Sequence, residues 1–425
     1  MSIVVLLLPL PRVGAAEPPE PTPARARRVF QGLFGPGETD ARRPRRLDVM
    51  WSVFGAEDDN TFLATDADIL DQTLQSRRSY SGATMSLVYT RRPPRNVVRL
   101  TATSAVRYYP GLHRIVSTRS GGGIGLDLSP ARDWRLQLSA NASYSPYYRV
   151  VLSAPVAAAG DVTAPSDDYA ASKQQSLNYG TALALTHAYG RRASLALDYA
   201  ASYTQFLGAP DYHAQHGGAH FIYQFARDIG VRLGYGHGSA STGIAGKQPI
   251  RDDNIDIGLA YGRSIASSRT AVSFSSGSAI VSAEDGRHFR LTGSAQLSRR
   301  LSPRWTAALS WGRGLQVPEG ATRPFFGDSL VGSVTGYFNQ RVTVSLQPTY
   351  AHGVVGFAGL TNSYNSVSST SRVQLALTRQ VAMYVDHFYY RYRFATTVGL
   401  PPLLTAGVNR QGLRAGLTLW TPLVR

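Results

Sequence analysis

Residues 134–144 read WRLQLSANASY. In extended backbone successive side chains point to opposite faces, so Trp134, Leu136, Leu138, Ala140, Ala142 and Tyr144 share one face, and Arg135, Gln137, Ser139, Asn141 and Ser143 share the other. Alternation alone fits any half-buried strand. The length and the ends are more particular: the run is about twice an ordinary strand, and its apolar face has an aromatic ring at each end with small aliphatics between them. At ~3.3 Å per residue and a tilt of ~45°, ten such residues rise roughly 23 Å, close to the apolar belt of a membrane-spanning barrel.

The same period of two recurs from residue 47 onward. Val98, Leu100, Ala102, Val106 and Tyr108 oppose Arg99, Thr101, Thr103 and Arg107; Leu195, Leu197, Tyr199, Ala201 and Tyr203 oppose Ser194, Asp198 and Ser202. Ile255, Ile257, Leu259 and Tyr261 oppose Asn254, Asp256 and Gly258, and Phe289, Leu291, Ala295 and Leu297 oppose Arg290, Thr292, Ser294 and Gln296. Toward the end Val342, Val344, Leu346 and Tyr350 face away from Thr343, Ser345 and Gln347, and Val373 and Leu375 from Arg372 and Gln374. Segments at 47–56, 79–90, 96–109, 115–128, 134–148, 174–188, 193–206, 214–226, 230–240, 251–263, 269–280, 288–300, 304–314, 328–339, 341–352, 369–379, 381–394 and 409–422 predict an even number of strands, about sixteen to eighteen, with eighteen the direct count. In the segment 381–394, Asp386 sits among aromatics, so that strand either bulges or turns Asp386 and its tyrosines inward.

Connections alternate in kind. RRPPRN (91–96), SPARD (129–133), YGRR (189–192) and SPR (302–304) are short, whereas 57–78, 150–173, 241–250, 316–327, 353–367 and 396–408 are long and irregular. Short turns on one side and long loops on the other are the hairpin asymmetry of an up-and-down barrel in a membrane. The expected fold is therefore all-β, a transmembrane antiparallel up-and-down β-barrel over 47–425. A soluble sandwich also buries one face, but with shorter strands and bulkier core faces. Open edges in lipid would leave backbone groups unpaired, so the sheet must close.

The chain has 425 residues, no cysteine, 23 tyrosines, 41 glycines and a mean hydropathy of −0.16. Lipid-facing residues diluted one for one by lumen residues give such a mixture, and no run of eighteen apolar residues supports a helical span. The absence of cysteine excludes disulfides and thiolate metal sites. Ile3–Leu10 followed by Gly14, Ala15 and Ala16 reads as a secretory signal peptide over 1–16, and the Pro/Arg-rich stretch 17–46 as a disordered periplasmic lead-in. The net charge of +17 comes almost wholly from arginine, since Lys173 and Lys247 are the only lysines. These arginines are dispersed over strand faces and turns with no recognition helix, which argues against nucleic acid as a partner.

With its LSP turns before Trp134 and Trp305 and its final RAGLTLWTPL (414–423), the chain resembles bacterial outer-membrane β-barrel proteins of the porin-like kind, in particular the loosely defined β-barrel porin-2 group, some members of which accompany exopolysaccharide systems. The resemblance implies location in the outer membrane of a Gram-negative cell. Its implied partners are membrane lipid and lipopolysaccharide, the barrel-insertion machinery and, as trimer or monomer, the chain itself. Barrels of this kind usually end on an aromatic residue; here the last one is Trp420, and the chain closes PLVR.

Candidate pore-lining residues follow from the polar faces: Arg99, Arg107, Arg135, Arg232, Arg290 and Arg372, with the acids Asp127, Asp198, Asp256 and Asp386. Aromatic girdle candidates are Tyr108, Trp134, Tyr144, Tyr203, Tyr261, Trp305 and Tyr350. The excess of lumen arginine predicts a passive channel weakly favouring anions, unless the arginines are spent on lumen acids and only stiffen the wall. Two other readings are an export conduit for an anionic exopolysaccharide, which needs a continuous basic track, and a structural or adhesive barrel, which needs a filled lumen.

No catalytic residue, cofactor or metal site is expected. Asp211 and His213, with carboxylates drawn from Asp58, Asp59, Asp167, Asp168, Asp252 and Asp253, distantly resemble the rim chemistry of omptin-like proteases, and HAQHGGAH (213–220) gathers three histidines. In extended backbone, however, His213 and His216 point to opposite faces. Asp58 and Asp59 with Asp66, Asp68 and Asp71 lack the glycine and spacing of a calcium loop.

Overall fold

The structure, a computed structural model, describes residues 33, 44–59, 78–93, 96–110, 115–146, 148–149, 170–172, 174–226, 229–244, 246–265, 268–283, 286–357, 362–396, 400 and 406–424. Its strands are β1 (Arg45–Asp58), β2 (Arg78–Arg91), β3 (Asn96–Tyr109), β4 (Ile115–Leu128), β5 (Trp134–Ser145), β6 (Tyr148–Arg149), β7 (Ala170–Ser172), β8 (Ser176–Tyr189), β9 (Ala193–Phe206), β10 (Tyr212–Ala226), β11 (Ile229–Thr242), β12 (Ile250–Ile265), β13 (Ser268–Ala283), β14 (Gly286–Ser302), β15 (Trp305–Gln316), β16 (Phe325–Tyr337), β17 (Val342–Val355), β18 (Asn362–Ala376), β19 (Val381–Phe394) and β20 (Gly407–Val424). All but the small β6–β7 pair join one 18-stranded sheet, each strand antiparallel to its sequence neighbour in the ring, and β20 returns to pair with β1. The sheet is a closed up-and-down barrel.

Alternation decides what each face meets. Leu197, Tyr199, Ile255, Ile257, Phe274, Phe289, Leu291, Leu417 and Leu419 are exposed on the outside, and Asp58, Arg107, Asp256, Asp386, Arg410 and Arg414 are buried on the inside. A soluble protein does not present so continuous an apolar exterior. Around a closed barrel it is the lipid-facing belt.

Aromatic residues ring the belt. At the short-turn end Trp134 stacks on His187 with ring centroids 4.2 Å apart, and Trp305 meets Phe338 edge-on at 5.2 Å. At the long-loop end Tyr179 stacks on Tyr203 at 6.3 Å. There the tyrosine hydroxyls donate to polar partners on the same outer face: Tyr203 to Asp211 at 2.5 Å, Tyr235 to Asp253 at 3.0 Å and Tyr350 to Asn365 at 3.4 Å. An apolar ring with a hydrogen-bonded hydroxyl suits a boundary between lipid and water.

The turns are built by local chemistry. Gly190, at φ 68°, permits the tight YGRR reversal, and the Asn339 carboxamide accepts from the N–H groups of Arg341 (2.8 Å) and Val342 (2.9 Å).

Three sequence expectations need correction. The stretch 353–367 is mostly strand, because β18 begins at Asn362 rather than 369; Asn362, Tyr364 and Ser366 face in while Ser363 and Asn365 face out, so polarity on both faces hides the period. Its ladder partners, Val355 on one side and Phe394 on the other, impose the extended form. Second, β5 ends at Ser145, and β6 and β7 lie within the segment read as loop 150–173 and just before it. Third, Arg45 and Arg46 open β1 instead of closing the lead-in. The signal peptide expected over 1–16, and the rest of 17–46 apart from Leu33 and residue 44, lie outside the described residues.

Leu138 sits outward near the middle of β5, and its neighbour Ser139 points inward. Replacing Leu138 with Arg should cost about 2–4 kcal/mol of unfolding free energy in lipid vesicles, measured by denaturant titration, while Ser139→Arg should cost far less. The reverse order would mean that the two faces have been exchanged.

Candidate pore

The barrel closes at the β1–β20 seam, and inward side chains fasten it. Arg410 donates from Nε to Asp58 at 2.7 Å, both side chains being almost wholly buried. Thr418 donates to Ser52 at 3.3 Å, and Trp420 Nε1 to Asp48 at 3.1 Å. Trp420 therefore points into the barrel, where it packs with Leu33, Ala376 and Ala382.

Arginines and aromatic rings alternate along the inner wall from β18 through β3. Arg372 lies over Tyr384 at 4.8 Å, Arg410 over Phe388 at 5.9 Å, Arg414 over Phe54 at 4.7 Å and Arg107 over Tyr80 at 5.3 Å. A guanidinium over a ring face keeps its charge while its stem and one plane are sheltered. The four rings come from inward positions of β19, β1 and β2, so β19 carries its aromatic stripe, Tyr384 to Phe394, into the lumen. Of the two expectations for segment 381–394, the structure realises the inward one.

The predicted pore residues fall into two sets. Arg135, Arg232 and Arg372 are held by Asp127 (Nε to Oδ1 2.9 Å), Asp256 (Nε to Oδ2 2.9 Å) and Asp386 (Nε to Oδ1 2.6 Å). Their charge is compensated, so they stiffen the wall more than they attract solute. Arg107 lies on Tyr80, Arg290 lies over Phe357 at 4.9 Å, and Arg99 is exposed inside the barrel with no ion-pair partner among the described residues. Asp198 lies between two histidines. Sequence reasoning missed Arg410, Arg414 and the lumen aromatics, although each lies in phase with its strand's inward positions. The girdle candidates Tyr108, Trp134, Tyr203, Tyr261 and Tyr350 are exposed on the outer face, and Tyr144 and Trp305 share that face by alternation.

The lumen is packed on one side and open on the other. At the long-loop end Val317 and Ala321 from the β15–β16 loop, together with Phe357, are buried against Tyr212, Phe325, Tyr364, Tyr392 and Phe394. Tyr212 donates its hydroxyl to the Val317 carbonyl at 2.8 Å, across the barrel interior from β10. A turn closed by Ala321 N–H on Pro318 C=O at 2.9 Å, with Gly320 at φ 71°, folds this loop back. Along β2, β3 and β5, by contrast, the inward side chains Thr84, Thr103, Ser139 and Asn141 are exposed. Between them β4 turns Gly121, Gly123 and Gly125 inward, leaving that stretch of wall without side chains.

Among the described residues the protease-like constellation is not assembled. Asp211 accepts from Tyr203, Asp58 is in its ion pair, Asp253 binds His237 and Tyr235 on the outer face, and His213 lies in β10 facing outward instead of in a loop. Asp167, Asp168, Asp66, Asp68 and Asp71 lie outside the described residues. Among the described residues no group of His, Asp and Glu is arranged to hold a metal ion.

A closed 18-stranded barrel with an apolar exterior, aromatic edges and a polar, partly open interior is a transmembrane β-barrel with the architecture of outer-membrane porins. No protein-family model matches the chain, and no curated protein is similar to it in sequence. Among solved structures it is similar to OpdL of Pseudomonas aeruginosa, at 11% identity over 89% of this chain and 99% of that one with a TM-score of 0.48. It is similar also to OccK2 (OpdF) of the same organism, at 12% over 90% and 98% with a TM-score of 0.49, and to OccAB4 of Acinetobacter baumannii, at 9% over 90% and 99% with 0.46.

The Asp58–Arg410 pair offers a test of the seam. Asp58→Asn leaves a buried guanidinium without its counter-charge and should lower unfolding stability by about 3–5 kcal/mol, whereas Asp58→Asn combined with Arg410→Met should regain much of that loss. Equal losses in the single and double variants would show that the pair does not bind the seam electrostatically.

Proposed function

We propose that the protein is a passive outer-membrane diffusion channel for small anionic solutes, in which water and solute pass beside the bare β2–β5 wall and the arginines Arg99 of β3 and Arg290 of β14 draw anions into the lumen. The observation that carries this reading is the exposure of Thr103, Ser139 and Asn141 on the inside of a closed barrel. Side chains that point into a sealed barrel are exposed only where the interior is not filled, and polar ones there line water. A structural barrel with a solid core would bury them.

The anion preference rests on Arg99, exposed inside the barrel, and on Arg290, which lies over Phe357; both stand outside the Asp127, Asp256 and Asp386 pairings. Fixed charge on a pore wall sets the sign of the ions admitted. The inward β15–β16 loop narrows the long-loop mouth, which favours a small solute over a polymer and stands against the exopolysaccharide conduit.

Two measurements on planar bilayers test the reading. Purified protein should give stepwise conductance whose reversal potential in a KCl gradient reports anion preference, and Arg99→Gln with Arg290→Gln should lower the anion-to-cation permeability ratio by roughly two-fold or more. Absence of conductance would overturn the channel, and cation preference in the wild type would overturn the arginine argument. Tyr212→Phe, which removes the hydroxyl tethering Val317, should raise single-channel conductance or its flicker. An unchanged trace would mean that this loop does not set the constriction.

A further inference from the structure

Half a circumference from the β1–β20 seam, the wall made by β9–β12 has a different chemistry. The inward row of β11 runs Gly230, Arg232, Gly234, Gly236, Gly238. These glycines form a floor over which side chains of β10 and β12 meet. A methyl group on Gly234 would collide with the Asp256 carboxylate and with Nδ1 of His220, one on Gly236 would crowd the His216 ring, and one on Gly238 would collide with Asp252. On the other side of β10, Asp198 of β9 lies over Gly218 and reaches both histidines: its Oδ1 is 3.1 Å from Nε2 of His220, and its Oδ2 is 3.9 Å from Nε2 of His216. All three side chains remain about one-quarter exposed, His216 at 21%, His220 and Asp198 at 27%, so lumen water can exchange protons with them.

The charged and titratable groups around the two imidazoles are thus Asp198 from β9, Arg232 from β11, and Asp252 and Asp256 from β12. Arg232 is engaged with Asp256, and no lysine lies in these strands. With the imidazoles neutral, Asp198 and Asp252 leave this wall negative, facing the arginine wall across the lumen. With both imidazoles protonated, the two carboxylates are balanced. Nδ1 of His220 is buried with no hydrogen-bond partner and lies, with the Asp256 carboxylate, over Gly234. Histidine is the side chain whose ordinary titration falls between pH 5 and 8.

We propose that His216 and His220, clasping Asp198, are a proton-titrated selectivity element of the channel: their wall repels anions when the imidazoles are neutral and ceases to do so when they are charged. This rests on the channel reading above. The histidines act on permeating ions through space, as a reversible charge on the wall opposite the arginines.

The test is the reversal potential of the full-length protein in a KCl gradient, taken from about pH 8 to about pH 5.5. In the wild type the anion-to-cation permeability ratio should rise by roughly two-fold or more on acidification. His216→Gln/His220→Gln should remove the shift while keeping conductance. Each single variant should remove part of it, which preserves the test if the double variant does not fold. A wild-type ratio indifferent to pH, or a shift that survives in every histidine variant, would overturn the proposal while leaving the channel intact. Lack of any conductance would instead remove the channel reading on which it stands.

Discussion

Backbone hydrogen bonding in a medium without water is the constraint on which everything else here depends. Every N–H and C=O within the lipid belt must find a partner in the protein, at several kcal/mol for each failure. A sheet meets this only by closing on itself, and here closure is the pairing of β1 with β20 from Asp48↔Pro422 up to Asp58↔Gly412. The seam joins residues more than 350 positions apart in sequence, as in the Arg410–Asp58 contact. Its inward side chains hold it: a buried ion pair at one end, a serine–threonine hydrogen bond in the middle, and the Trp420–Asp48 bond at the other.

Once closed, the barrel has one face per solvent, and side-chain alternation distributes chemistry between them. The outside needs only apolar bulk and interfacial rings. The inside divides around the circumference: arginines sheltered on aromatic rings from β18 to β3, glycine and small polar residues along β4 and β5, a histidine–carboxylate cluster from β9 to β12, and an apolar cap where the β15–β16 loop turns in. Glycine serves two opposite purposes on this wall. On β4 it leaves the lumen open, since nothing leans over Gly125 beyond the Arg99 stem; on β11 it makes room for neighbours that occupy the space themselves.

Much of this was legible in the residues. The period of two placed Arg135, Arg232 and Arg290 on the lumen side, and the LSP turns located Trp134 and Trp305 at one edge. What escaped was local where both faces are polar, as at 362–367, and global where partners come from distant strands. Arg410 and Arg414 drew no notice because the last strand was read for its apolar residues, although its even positions carry the arginines inward. The histidine run 213–220 illustrates both limits: alternation separated His213 from His216, but nothing local reveals that Asp198 lies opposite Gly218.

The sequence by itself determined the class of fold, the count of barrel strands and the faces of the clearly alternating strands, because these depend on short-range geometry: a fixed rise per residue, a strict period, and a belt of fixed thickness. Tertiary structure alone decided which charges cancel and where the lumen stays open. Arg135, Arg232 and Arg372 lose their free charge through register with Asp127, Asp256 and Asp386, and the mouth narrows because the Val317 carbonyl lies within reach of the Tyr212 hydroxyl. Register is set by the hairpin turns and loop placement by the closed ring as a whole, and no short window along the chain contains both partners of a contact across the lumen such as Tyr212 with Val317.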